Sequence, residues 1–344
     1  MKINRPQKPH AAASTKAKPP DAQPAPPASR GWSAKGAARP VRAAAALRPV
    51  DTHGGSTLAG TTALKPQQLQ ALLDGVSPMA ERARLAKANL EATPEYAAAS
   101  PEQKQQLLSQ RLSSDLVVPG LVSADVAQLA TAAARYAVTG PTLEANHEFP
   151  GKKTDADRYE VLIDGRSIPV YVPHDGAFDP PFHHRVEDAA KTLASIPAES
   201  RALVTQVSLD PVANPLDDFW SKTYGREMTS YMTCGADGKV DIYPFKTQGG
   251  TEYMAASLIH ETGHAWSGAK FGGDLDGPAW APWRDAVAKD GILPSQYASS
   301  SAAEDVAEST ALYLSARDTP AFAEYRALYP NRFALLDQQF GVRP

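Results

Sequence analysis

Thr251-Glu-Tyr-Met-Ala-Ala-Ser-Leu-Ile-His260-Glu261-Thr262-Gly263-His264-Ala-Trp266 is the stretch from which the rest of the chain is read. It is helix-compatible and contains the pattern HExxH. A spacing of i and i+4 puts His260 and His264 on one helical face, a turn apart, where both imidazoles can bind one Zn²⁺ at about 2.0 to 2.1 Å. Glu261, beside His260, can take a proton from water that such an ion acidifies to a pKa of about 7. The competing reading is a buried helix with incidental polar residues. Gly263 costs a helix about 1 kcal/mol relative to Ala, which favours close approach by another backbone over helix stability.

Working outward, the composition restricts what else can take part. Cys234 is the only cysteine among 344 residues. Disulfides, CxxC redox pairs and thiolate-rich zinc clusters are thereby excluded, and a metal must be held by His and carboxylate. With 42% hydrophobic and 21% charged residues the chain can bury one large core or two modest ones. No stretch has the roughly 18 to 20 apolar residues of a membrane span, and the N-terminus lacks the apolar core of a Sec signal peptide. The net charge of -3 averages two unlike regions. Residues 1–50 carry ten Lys or Arg against Asp21 alone, whereas the remainder carries 25 basic and 37 acidic groups. A body of that sign repels phosphate backbones, so nucleic acid is not an expected partner.

Residues 1–60, basic and rich in Pro and Ala, are expected to be a disordered leader. They suit either a flexible tail or a delivery segment of the kind bacteria pass through contact-dependent secretion machines, where a secretion chaperone would bind. An organellar transit peptide has a similar composition. Residues 61–144 are expected to be a helical region. Leu69, Leu72 and Leu73 recur at helical spacing, Ser100-Pro101-Glu102-Gln103 forms a capping-box start, and Ser123–Val138 makes a third helix ended by Gly140-Pro141. From about 145 the texture changes. Tyr159–Ile163 and Arg166–Val172 flank Asp164-Gly165 as a hairpin with a type I′ turn. A helix is expected over Phe182–Ser195, with strands over Leu203–Leu209, Met228–Cys234 and Val240–Phe245. Strands grouped ahead of the last two helices give an α+β fold with a small, mostly antiparallel sheet over 145–344.

Two histidines leave a metal site incomplete, since a catalytic zinc needs three protein ligands and one open position. Pro294 precedes a second helix in which Glu304 and Glu308 share a face at i, i+4, beside Ala307 and Ala311. Two carboxylates on such a face are costly to bury unless positive charge lies opposite, which a zinc ion would provide. The alternative for Glu304 is structural, because Ser301-x-x-Glu304 is itself a capping box.

The stretch Leu258–Leu314 resembles the anthrax lethal factor-like and Pro-Pro endopeptidase family of gluzincin zinc metallopeptidases. In that family HExxH is followed by a helix of the form E-x-x-A-E with a tyrosine seven residues before its first glutamate. Here Glu304-Asp-Val-Ala-Glu308 has that form and Tyr297 stands at the matching offset. Where aromatic residues commonly follow the ligand glutamate, this chain has Asp305 and Val306. The resemblance implies a zincin-like (gluzincin) domain with two active-site helices, one Zn²⁺ held by His260, His264 and Glu304, and Glu261 as general base. It further implies Tyr297 as the phenol that stabilises the oxyanion and Glu308 as the carboxylate orienting a ligand histidine. The expected activity is hydrolysis of a protein or peptide substrate by a secreted bacterial effector or toxin. Two other functions fit the same motif: a metal-free binding module of the same shape, and a zinc hydrolase of a non-peptide amide or of cell wall.

Of the remaining residues, His183 and His184 diverge by about 100° on a helix and suit a solvated face better than chelation. Met228, Tyr231 and Met232 suit either the core or the rim of a substrate cleft. Trp266, Trp280 and Trp283 are expected to cover the metal site, and Cys234 to be a small buried hydrophobe.

Overall fold

The first helices start where proline and a preceding cap dictate. A computed structural model of the chain describes residues 64–115, 125–126, 133–174, 183–224, 229–244 and 251–341. Helices α1 (Pro66–Asp74), α2 (Pro78–Glu91), α3 (Pro94–Ala98) and α4 (Pro101–Asp115) each place proline at the first position, where its missing N–H costs nothing. Ser77 and Thr93 cap α2 and α3, accepting from Ala80 and Tyr96 amides. At α4 the expected capping box forms: the Ser100 amide donates to Gln103 at 2.9 Å and the Gln103 amide to Ser100 Oγ at 3.3 Å.

Three strands follow: β1 (Tyr136–Phe149), β2 (Lys152–Ile163) and β3 (Arg166–Pro173). The β2–β3 hairpin turns at Asp164 and Gly165, both at positive φ (51° and 77°), as a type I′ turn requires. One expectation fails here. Tyr136–Val138 are not the end of a third helix but open β1, where Tyr136 pairs with Ile163 and Val138 with Val161. The Ala-rich sequence favours helix locally, but pairing along β2 overrides that preference. The strand also continues past Gly140-Pro141 by a bulge between Thr139 and Thr142, so the change of texture comes before residue 145. The remainder of that expected helix, through 124 and from 127 to 132, and the whole 1–60 leader lie outside the described residues.

Helices α5 (Val186–Ser195) and α6 (Ala198–Leu203) lead to β4 (Gln206–Leu209). After α7 (Asp217–Tyr224) come β5 (Met232–Cys234) and β6 (Lys239–Ile242). The sheet order is β1-β2-β3-β4-β6-β5. Pairs β3/β4 and β4/β6 are parallel and the other three antiparallel. The sheet is therefore mixed, with helices inserted between strands, because a parallel β3/β4 pair needs a crossover connection. Helix α8 (Thr251–Phe271) lies behind it, followed by α9 (Ala281–Asp290), a 3₁₀ turn at Tyr297–Ser300, α10 (Ala302–Ala316), α11 (Ala321–Leu328) and α12 (Pro330–Phe340).

Alternation along the strands sends Val161, Val170, Val207, Leu209, Val240 and Ile242 into one core with Leu193 of α5 and Met254 and Leu258 of α8. The N-terminal helices share that core. Gln68 donates to the Asp290 and Leu328 carbonyls at 3.1 and 2.8 Å, and the Glu324 carboxylate accepts from the Val76 and Ser77 amides at 3.1 and 3.0 Å. Among the described residues no helix is long and apolar enough to cross a membrane.

Candidate metal centre

Gly263 and Ala307 set the distance between α8 and α10. A Cβ at Gly263 would lie 2.7 Å from the Ala307 Cα and 3.2 Å from the Thr310 Cβ. The two backbones approach as closely as the missing side chain permits, the role its place in the motif suggested. His260 and His264 flank this contact on α8, and Glu304 and Glu308 flank it on α10. All four side chains thus project from one helix–helix seam.

His260 Nε2 lies 3.2 Å from His264 Nε2, Glu304 Oε2 lies 3.3 Å from His260 Nε2, and it lies 3.2 Å from His264 Nε2. A tetrahedral zinc with bonds of about 2.0 to 2.1 Å separates its ligand atoms by about 3.3 to 3.4 Å. The triangle therefore matches one face of such a site. Glu304 Oε2 is buried and makes no hydrogen bond. The opposite side of the His260 ring is fixed, since Nδ1 and Glu308 Oε1 are 2.7 Å apart and Glu308 is fully buried. With Nδ1–H donating to that carboxylate, the Nε2 lone pair turns toward Glu304 and His264. The donor set of two imidazoles and one carboxylate suits zinc, which in catalytic sites takes three protein ligands and a small molecule in the fourth position.

The electrostatics agree with the geometry. Burial pulls the His260 and His264 imidazoles down, but the neighbouring carboxylates, Glu304 above all, outweigh it and hold both above their ordinary range. Burial likewise pushes Glu304 up, yet the two histidines hold it well below the usual carboxylate range. Without a cation, a proton on the imidazoles supplies the positive charge that Glu304 demands; a divalent ion would supply it instead. Burial pushes Glu261 up to about 6, against the opposing pull of His264 and His260. A buried carboxylate in that range can both accept and return a proton near neutrality.

The capping alternative for Glu304 is half present. Ser301 Oγ accepts from the Glu304 amide at 3.2 Å, so the helix is capped, but the Glu304 carboxylate faces the histidines. Tyr297, on the 3₁₀ turn before α10, has its ring centroid 6.0 Å from that of His260. All six residues expected at the site are brought together.

Sequence reasoning missed the support beneath it. Asp305 pairs with the fully buried Arg332, with Nε and Nη2 each at 2.8 Å, and accepts from Trp283 Nε1 at 2.9 Å; Asp290 takes Arg332 Nη1 at 3.1 Å. This buried ion cluster pins the first turn of α10, one residue from Glu304. The only signal in the sequence was an acid where the resemblance expects an aromatic. Trp266, expected over the site, packs its ring against Phe271, Trp283 and Phe340. His184 is buried against Tyr231, Nε2 to Oη 2.7 Å, and is no solvated face. Cys234 is only partly exposed, and burial raises its thiol pKa. Met228 lies outside the described residues, and Tyr231 and Met232 belong to the core.

No protein-family model, no curated protein and no solved structure matches the chain.

Proposed function

We propose that the chain is a zinc-dependent endopeptidase with a zincin-like catalytic centre, hydrolysing peptide bonds of a protein target. The observation that carries this is the near-equilateral triangle of His260 Nε2, His264 Nε2 and Glu304 Oε2, with sides of 3.2 to 3.3 Å, beside a buried Glu261. When bound there, zinc supplies Lewis-acid chemistry, polarising a carbonyl and acidifying water. The protein's own groups do the rest. Glu308 holds the His260 ring in the tautomer that presents Nε2. Glu261 takes the proton from the attacking water and returns it to the leaving amine. Tyr297 donates its phenolic proton in a hydrogen bond to the developing oxyanion. In this proposal the basic leader is a delivery segment of a secreted bacterial effector or toxin.

The test is a mixed peptide library with the zinc-loaded full chain and Glu261→Gln. The wild type is expected to release new termini, and the variant, retaining its zinc, to do so about 10² to 10⁴ times more slowly. Zinc-loaded wild type without cleavage products, or equal cleavage by the variant, would overturn the proposal.

A further inference from the structure

The first turn of α10 carries a candidate metal ligand and a buried anchor on adjacent residues. Ala302, Ala303, Glu304 and Asp305 make that turn, and only the two acids have side chains long enough to reach another element. Glu304 Oε2, the oxygen facing both imidazoles, accepts no hydrogen bond, so its place follows from the backbone that carries it. Consecutive residues diverge by about 100° around a helix. Asp305 therefore turns off the seam, and it is buried.

Asp305 is held by three donors from two helices. Arg332 Nε and Nη2 of α12 reach its two oxygens at 2.8 Å each, and Trp283 Nε1 of α9 reaches Oδ1 at 2.9 Å. The guanidinium is itself fixed, since Nη1 donates to Asp290 Oδ2 at 3.1 Å and to the Ile292 carbonyl at 3.0 Å. Asp290 is fixed in turn: Oδ1 accepts from the Asn331 amide and Nδ2 at 2.9 and 2.8 Å, and Oδ2 from the Arg332 amide at 3.2 Å. One planar fork thus ties α9, α12 and the start of α10 together.

Rotation of that turn is the movement the fork resists. The contact of Gly263 with Ala307 sets how closely α8 and α10 approach, but a glycine facing an alanine offers little grip against rotation. A side-chain tip about 5 to 6 Å from a helix axis moves about 1 Å for every 10° of rotation. Metal–ligand distances, in contrast, hold to within about 0.2 Å. Side-chain torsions of Glu304 would have to make good such a rotation, at a cost in metal affinity.

We infer, on the reading of His260, His264 and Glu304 as a zinc centre, that Asp305 and Arg332 are its positioning residues. Their bidentate pair sets the rotation of the first turn of α10, and with it the pose from which Glu304 meets the ion. Neither residue touches the metal. They do for the carboxylate ligand, through the backbone, what Glu308 does for the His260 ring through Nδ1.

The test measures zinc affinity by competition with a chelating dye, below the melting midpoint, for the full chain as wild type, Arg332→Lys, Glu304→Ala and the double variant. Lysine keeps the charge but has no planar fork, so Arg332→Lys is expected to bind zinc about 10- to 100-fold more weakly than wild type. In the Glu304→Ala background, the weak affinity left to the two histidines should be the same with and without Arg332→Lys, because the guanidinium acts through Glu304. If Arg332→Lys does not fold, Asp305→Asn, which keeps the side-chain volume and an acceptor for Trp283, replaces it with the same expectations. Wild-type zinc affinity in the folded variant, or an equal loss in both backgrounds, would overturn the positioning role and leave the zinc centre standing. A wild type that binds no zinc would overturn the zinc centre itself, and the positioning role with it.

Discussion

Glu304 serves both helix and site: its amide is capped by Ser301, while its carboxylate faces two imidazoles with no hydrogen bond to Oε2. The division between backbone and side chain explains why a capping-box pattern and a ligand pattern coincide in one sequence. Glu308, fully buried against His260 Nδ1, makes a second residue-level claim. Glu308→Gln is expected to weaken zinc binding about 10- to 100-fold, read by competition with a chelating dye; unchanged affinity would remove its orienting role. At Asp210, burial and the nearby Asp241 raise the carboxyl to about 9 from 3.8. The native state then keeps a proton that the unfolded chain releases. Stability should therefore fall as pH rises from about 4 to about 9. Asp210→Asn should flatten that slope in urea titrations across the range. At the candidate site, His260, His264, Glu304 and Glu308 were legible because i, i+4 spacing on two helices is a local pattern, and Tyr297 only through its seven-residue offset in the resemblance. Asp210 was not, since its isolation follows from the β4/β6 register.

The seam between α8 and α10 makes the element-level claim. Gly263→Ala would gain about 1 kcal/mol from helix propensity alone, but the added methyl lands 2.7 Å from the Ala307 Cα. The helices must part, at a cost of about 1 to 3 kcal/mol, and the ligand triangle opens with them. A net loss of stability with weakened zinc binding is the expected result; a variant more stable than wild type with unchanged zinc affinity would contradict the close approach. Arg332→Met would leave Asp290 and Asp305 buried without a counter-charge, and chemical denaturation should show a loss of about 3 to 5 kcal/mol. The capping box at Ser100 and the Asp164-Gly165 turn were legible because each is fixed by four consecutive residues. The first residues of β1 were not, because Tyr136–Val138 become strand only through pairing with β2.

Across the whole molecule, the helices before β1 support the half that carries the candidate site. Gln68 reaches carbonyls of α9 and α11, Ser77 meets Glu324 of α11, and Leu72 and Met79 share a core with Tyr325, Leu328 and Tyr329. Local helical signals could not show this, because the contacts join residues more than 200 positions apart. Deleting residues 1–115 is expected to abolish cooperative unfolding, as followed by near-ultraviolet circular dichroism during heating. The central claim is that His260, His264 and Glu304, from two helices pressed together at Gly263, grip one divalent ion. Its most direct test is the zinc content of the purified full chain and of Glu304→Ala after dialysis against equal free zinc. One zinc per chain in the wild type and close to none in the variant is the predicted result; equal zinc in both, or none in either, would contradict it.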